Sequence, residues 1–264
     1  MRIAFSQVVA KARGKHQRAI ARFFCKRPFV VHPPVPIISF SFDDFPRSSL
    51  LTGGRILQSF GLAGTYYASL GLIGQQTATG TMLLAEDLKT LLAQGHELGC
   101  HTFSHCHAWD TNPLSFESAI NKNGEALREL VAGATFKSLS YPIGVPRAQT
   151  KRLAAKYFAC CRGGGQTLNV GTVDLNYLSA YFLEQSRDDP GAIKRVIDEN
   201  CRVGGWLIFA THDVSDEPTR WGCIPRLFEN IVQYSVSSGA RILPVSRAYE
   251  FIRSNCPSET AKDM

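Results

Sequence analysis

The chain has 264 residues, 44% hydrophobic and 19% charged, which suits one large or two small globular domains with a buried core. It lacks the roughly 18 uninterrupted apolar residues that mark a membrane-spanning helix. The net charge of +7 belongs to one end. The first 27 residues carry eight basic side chains (Arg2, Lys11, Arg13, Lys15, Arg18, Arg22, Lys26, Arg27) and no acid, while the other 21 basic residues meet 22 acidic ones. No nucleic-acid partner is therefore expected of the domain itself.

Residues 1–34 form a basic N-terminal extension. With Val8, Val9, Ile20, Phe23 and Phe24 it is a candidate for peripheral contact with an anionic membrane; a mobile, solvated leader is the plainer alternative. Ile3 to Ala10 is interrupted by Ser6 and Gln7 and no small-residue cleavage site follows, so it reads poorly as a secretory signal. Eight cysteines without a C-x-x-C pair give no support to a zinc ribbon or a dithiol centre. Cys160 and Cys161 are adjacent and could not bridge without strain. Scattered thiols without a signal fit a reducing, cytoplasmic setting, with membrane association left open.

After Pro33-Pro34-Val35-Pro36 the pattern becomes regular. Strands are expected at Ile37–Phe42, Thr65–Leu70, Glu97–Thr102, Phe136–Tyr141, Tyr157–Cys161, Leu178–Leu183, Trp206–Thr211 and Arg241–Val245. Helices are expected at Leu50–Phe60, Leu83–Ala93, Phe116–Val131, Ala148–Lys156, Ala192–Cys201, Pro225–Ser237 and Ala248–Arg253. Strands alternating with helices of this length predict a parallel sheet, and seven or eight units suit a (β/α) barrel better than an open sheet. One domain over 35–254 with a C-terminal tail at 255–264 is the simplest division.

Unusual polar residues gather where such a fold places its chemistry, at the C-terminal ends of strands. Asp43-Asp44 ends the first strand and His101-Thr-Phe-Ser-His105 the third. Tyr141-Pro142-Ile143-Gly144 ends the fourth, and His212-Asp213 follows the apolar run WLIFAT. Were the chain to turn helically after the third strand, His101 and His105 would share a face and one metal. A carboxylate from a neighbouring strand end completes a His2Asp site. His96 and His107 lie close by in sequence, and His107 and Cys106 stand as rival ligands, whereas Cys100 reads as a small core residue. Two adjacent acids leaving a strand can divide labour, one binding metal and one acting as a base. His212 is placed as a general acid for a leaving amine, with Asp213 a candidate to orient its ring.

Together SFDDFP, HTFSH, YPIG and THD resemble the NodB-homology polysaccharide deacetylases, carbohydrate esterase family 4, over Pro36 to Val245. The resemblance implies a distorted (β/α) barrel of seven or eight strands. It implies Asp43 as catalytic base, Asp44, His101 and His105 as metal ligands, and His212 as general acid. It also implies that the Tyr141 backbone N–H holds the oxyanion, with Pro142 shaping the same loop. The family's Arg before the aromatic-Pro element is replaced by Ser140; Arg162 or Arg147 is expected to supply that charge, and Asp174 is a weak candidate for the acid that pairs with it. Ala210 stands where a Leu usually lines the acetate pocket, which implies room for a larger acyl group. Pro142, Arg162 and Trp206 are the candidate substrate-binding residues.

The function so implied is metal-dependent removal of an N-acetyl or similar acyl group from an amino-sugar-containing oligo- or polysaccharide. One divalent ion is expected; zinc is the default for His2Asp, and cobalt, nickel or iron would fit. Two rivals stand beside it. One is hydrolysis of another C–N bond, a formamide on a lipid-linked sugar or a cyclic ureide. The other is an inactive carbohydrate-binding protein in which Trp109, Trp206 and Trp221 stack on sugars. Oligomeric state is not legible.

Overall fold

The computed structural model describes residues 2–186 and 189–255. In chain order the strands are β1 (Pro28–Val31), β2 (Ile37–Phe42), β3 (Thr65–Ala68), β4 (Gln76–Thr77), β5 (Gly80–Thr81), β6 (Glu97–Cys100), β7 (Ser138–Ser140), β8 (Cys160–Arg162), β9 (Gly171–Asp174), β10 (Tyr181–Phe182), β11 (Trp206–Thr211) and β12 (Arg241–Ile242). The helices are α1 (Arg2–Phe23), α2 (Arg55–Ser59), α3 (Ala85–Ala93), α4 (Pro113–Leu130), α5 (Ala148–Ala154), α6 (Pro190–Val203), α7 (Pro225–Ser237) and α8 (Val245–Asn255).

A parallel sheet runs β10-β11-β2-β3-β6-β7-β8. Its central strands, β2 and β11, are buried at every position, as expected when helices cover one face and barrel contents the other. The edge of β2 opposite β11 is divided: β12 takes Ile37 and Ile38, and β3 takes Ser41 and Phe42. The two ends of the path approach through a single parallel bridge, Arg162 to Leu178. The result is the distorted (β/α) barrel the sequence predicts.

Alternation along β11 separates two apolar layers. Leu207 and Phe209 join the larger cluster, with Phe40, Phe42, Leu88, Leu127, Ile197 and Phe228. Trp206, Ile208 and Ala210 join the second, with Ile37, Leu178 and α8 residues Val245, Ala248 and Ile252. In α4 a stripe of Phe116, Ile120, Asn123 and Leu127 is buried, the spacing of one helix face. Asn123 uses that position to hold the end of β3: its Oδ1 accepts from Leu70 N–H and its Nδ2 donates to Ala68 O, both at 2.9 Å.

Several expected elements shift. The helix predicted at Leu50–Phe60 opens as a wide π turn, Ser49–Gly54, before α2. The strand predicted at Tyr157–Cys161 runs instead from Cys160 to Arg162, which makes Arg162 a strand residue. The β4–β5 hairpin and the antiparallel pair β1–β9 have no counterpart in the sequence reading.

The basic N-terminal segment is tied to the rest of the chain. The Lys151 ammonium, 0% exposed, donates to Ala21 O at 2.6 Å, Phe24 O at 2.8 Å and Asp174 Oδ2 at 2.5 Å. It thereby caps carbonyls at the C-terminal end of α1 that have no intrahelical donor. Arg27 donates to Phe158 O and Ala159 O, and Asn176 to Cys25 O. Arg13 pairs with Asp110 at 2.6 Å. Residues 13–27 are thus docked, and the mobile leader gives way to a packed helix. Among the described residues no helix is long and apolar enough to cross a membrane.

Candidate metal centre and its cavity

Three strand ends deliver the charged residues: β2 runs into Asp43 and Asp44, β6 into His101, and β11 into His212. Asp43 still belongs to the sheet, its N–H donating to Thr211 O at 2.9 Å. The chain then turns through two left-handed residues, Asp44 (φ 62°) and Phe45 (φ 57°). A bulky residue holds that conformation only when its surroundings compel it; Phe45 is fully buried, its ring 5.0 Å from that of Tyr66. The second site strand behaves alike. His101 N–H donates to Ala68 O at 3.0 Å, and Thr102 (φ 59°) and His105 (φ 51°) then reverse the chain. The helical turn expected here is absent. His105 reaches His101 through left-handed turns.

His101 Nε2 lies 3.2 Å and His105 Nε2 3.1 Å from Asp44 Oδ1. One ligand atom from each of the three residues falls within 4.8 Å of the others. His101 Nδ1 is 2.8 Å from Ser140 O; a carbonyl only accepts, so the proton sits on Nδ1 and Nε2 presents its lone pair. Asp44 Oδ2 accepts from Thr79 Oγ1 at 3.0 Å, while Oδ1 is buried without a hydrogen-bond donor. Burial alone would raise the Asp44 carboxyl, and positive charge placed on its His101 and His105 side holds it far below the usual range. An ionised, donor-less oxygen faced by imidazole nitrogens is the donor set a divalent cation takes. Zinc-type ligation therefore fits these residues.

The rival ligands are engaged elsewhere. His107 Nδ1 accepts from Trp109 N–H at 3.1 Å, and the Cys106 thiol donates to Thr102 Oγ1 at 3.5 Å. His96 Nδ1 accepts from Gly64 N–H at 3.0 Å, deep under Tyr66. Cys100 is buried beside Asn123, its thiol pushed up to about 12 by burial.

Asp43 accepts from Arg162, whose guanidinium is 1% exposed and lies 4.7 Å from the Tyr67 ring centroid. Burial would raise the Asp43 carboxyl; Arg162, with His101 and His212, keeps it below its ordinary value. Arg162 was expected among the substrate-binding residues, but its charge is spent on Asp43. The β7–β8 ladder pairs Ser140 with Arg162, so the cation missing at Ser140 stands one strand over at the same height. Arg147 does not compete, since its Nε donates to Trp109 O. Asp174 is committed to Lys151.

Tyr141 departs from its expected role. Its N–H donates to Arg162 O at 3.0 Å within the sheet and is not free for an oxyanion, although the residue borders the cavity. Pro142 is buried and shapes the turn, its carbonyl meeting Ala108 N–H at 3.5 Å, but does not line the cavity. The next N–H is that of Ile143, a left-handed residue (φ 62°) in the cavity wall, and it has no acceptor among the described residues.

His212 is half-buried between Phe182, 6.4 Å between ring centroids, and Trp221, 6.3 Å. Its Nδ1 is 3.3 Å from Trp221 O, which directs Nε2 to proton transfer. Asp213 does not orient this ring. Its carboxylate takes Thr219 N–H at 2.7 Å and Thr219 Oγ1 at 2.5 Å, closing the loop that carries Trp221. Gly222 is obligatory there, because a Cβ would lie 2.2 Å from Asp213 Oδ1.

Asp43, Asp44, His101, His105, Arg162 and His212 line one cavity of about 1220 Å³, with Trp221 in its wall. Trp206 does not belong to it. That side chain is 0% exposed at the opposite end of β11, its Nε1 donating to Ser39 Oγ at 2.9 Å, and it offers a sugar no face. Ala210 is likewise buried in the second apolar cluster and forms no part of the cavity wall.

The chain matches the family model for polysaccharide deacetylase over residues 31–158. Among curated proteins it is similar to a gellan lyase from Bacillus sp., 24% identical over 166 residues, which are 55% of this chain and 6% of that protein; the chain thus spans a small fraction of that relative. Among solved structures it is similar to the chitin deacetylase of the fungal pathogen Colletotrichum lindemuthianum (TM-score 0.61, 15% identity, 83% of this chain and 90% of that one). It is also similar to a CE4 family pseudoenzyme from Bacillus anthracis (TM-score 0.58, 10% identity, 83% and 66%). At these identities the structural likenesses speak to the fold.

Proposed function

Because this chain belongs to the polysaccharide deacetylase family, we propose that it is a metal-dependent hydrolase removing an N-acetyl or similar acyl group from an amino-sugar-containing glycan. The observation that carries the reading is the buried, donor-less Asp44 Oδ1 with His101 and His105 Nε2 turned toward it. A divalent ion held by these three, zinc first by ligand type, supplies Lewis acidity to the carbonyl and acidity to water.

The chain's own residues account for the proton movements. Asp43, kept ionised by Arg162, is the base that takes a proton from the attacking water. The Ile143 N–H is the backbone donor available for negative charge developing on the carbonyl oxygen. His212, with Nδ1 directed to Trp221 O, gives its Nε2 proton to the departing nitrogen. Thr79 and Ser140 O orient Asp44 and His101, as the outer partners of ligands do. Trp221 and Phe182 supply flat apolar walls of the kind a pyranose ring packs on.

The likeness to a pseudoenzyme raises the inactive reading, and the presence of Asp43, its Arg162 partner and His212 weighs against it. The test is metal content and acyl release by purified protein and by His101→Ala. The substitution is expected to remove both, and a variant that keeps its activity overturns the metal-dependent reading. Release of acetate from N-acetylated sugars, and not formate or ammonia from the corresponding formamide or ureide, separates the deacetylase from the other C–N hydrolases.

A further inference from the structure

The cavity is larger than one acylated pyranose requires: about 1220 Å³ against the roughly 300–1,000 Å³ usual for small-molecule sites. Part of its wall is α1 and the residues just after it, through Arg18, Arg22 and Lys26. Arg18 and Arg22 stand four residues apart and share a helix face, and Lys26 joins them in the wall from beyond the helix end at Phe23, after the left-handed Cys25. The spacing of Arg18 and Arg22 is about one helical turn, on the order of 6 Å along the axis.

The row has no internal counter-charge. Among the described residues no carboxylate pairs with any of the three; the nearby acids are taken, Asp110 by Arg13 and Asp174 by Lys151. Of the other acids in the wall, Asp43 and Asp44 belong to the metal centre and Glu184 is already engaged. Nor is the row a passing tail, since the buried Lys151 fixes the carbonyls of Ala21 and Phe24 directly beneath it. Arg220, over the Trp221 ring at 4.0 Å, adds a further cation to the same cavity. Fixed like charges gathered in a cleft focus a positive potential, and guanidinium pairs suit the paired oxygens of phosphate or carboxylate.

From this we infer that Arg18, Arg22 and Lys26 bind an anionic group of the substrate, so that the acylated amino sugar is part of a phosphorylated or uronate-bearing glycan. The inference rests on the hydrolase reading for its substrate and on the α1 wall for its charge. Three probes test it on the metal-loaded full-length chain: N-acetylglucosamine 1-phosphate, a hyaluronan tetrasaccharide as the carboxylate case, and neutral chitotetraose. At least one anionic probe is expected to exceed chitotetraose in kcat/KM by tenfold or more, and which one does so identifies the anion. In R18A/R22A/K26A that ratio should collapse at least tenfold through KM, and R18K/R22K should restore most of it. The wild-type preference should also shrink as salt rises. Equal or better turnover of chitotetraose, or a ratio insensitive to the triple substitution, overturns the inference.

Equilibrium binding of inorganic pyrophosphate gives a readout independent of turnover. Salt-dependent binding by the wild type that the triple variant loses, in a protein that hydrolyses none of the probes, supports the anionic site and defeats the hydrolase reading. Hydrolysis without such binding or preference does the reverse.

Discussion

At the scale of single residues, Asp43 and Arg162 form the pair on which the proposed chemistry turns. Arg162 offsets the burial that would otherwise raise the Asp43 carboxyl. Arg162→Met should therefore move the acidic limb of the kcat/KM profile to higher pH and lower the rate by up to about 10²–10⁴, the usual worth of a positioned base. An unmoved limb would show that Asp43 is not the titrating base. His96 offers a pH test of stability away from the site. Burial lowers its imidazole to about 4, below the roughly 6.5 of an unfolded chain. Between those values the unfolded state binds the extra proton, so stability is full above about pH 6.5 and falls as pH drops toward 4, by at most about 3 kcal/mol. His96→Asn, whose Oδ1 can accept from Gly64 N–H, should flatten that slope in denaturant titrations at several pH values.

At the scale of elements, the anchoring of α1 depends on one ammonium. Lys151→Ala leaves Asp174 Oδ2 and two helix-end carbonyls without their ammonium donor, and losing one partner of a buried pair costs about 3–5 kcal/mol. Limited proteolysis should then cut near Phe23–Phe24 in the variant before the barrel is touched; unchanged protection would show that α1 is held by other contacts. Elements were legible in the sequence where burial is periodic or continuous: β2, β11 and α7 stand where their apolar patterns place them. The Asp44, His101 and His105 cluster was legible as a candidate metal site because strand ends collect the polar residues of such a fold. What escaped is the work of the backbone. Nothing in HTFSH announces left-handed turns at Thr102 and His105, since the non-glycine φ follows from tertiary packing. Thr79, on a hairpin of two-residue strands, is too short a signal to read, and the commitment of Tyr141 N–H to β8 is a matter of register. Trp206 misled because an indole in a strand looks the same in sequence whether it faces a sugar or the core.

At the scale of the whole molecule, the candidate metal centre joins β2 and β6, with β4–β5 and β7 supporting it through Thr79 and Ser140. Anything that binds this arrangement and not the unfolded chain stabilises the fold. Zinc at about a hundred times its dissociation constant should add about 2.7 kcal/mol, a rise of roughly 5–10 °C in Tm for a domain of this size. The rise should vanish in His105→Ala; if that variant responds to zinc as fully as the wild type does, the ion sits elsewhere. The pairing of Ser140 with Arg162 reaches beyond this one protein. In a barrel, height along the axis is shared by neighbouring strands, so a helper charge can migrate sideways while the group it serves stays put. Ancestry can then preserve a reaction while scrambling the linear spelling of its signature, and a chain judged defective from a missing letter can be whole when viewed down the barrel.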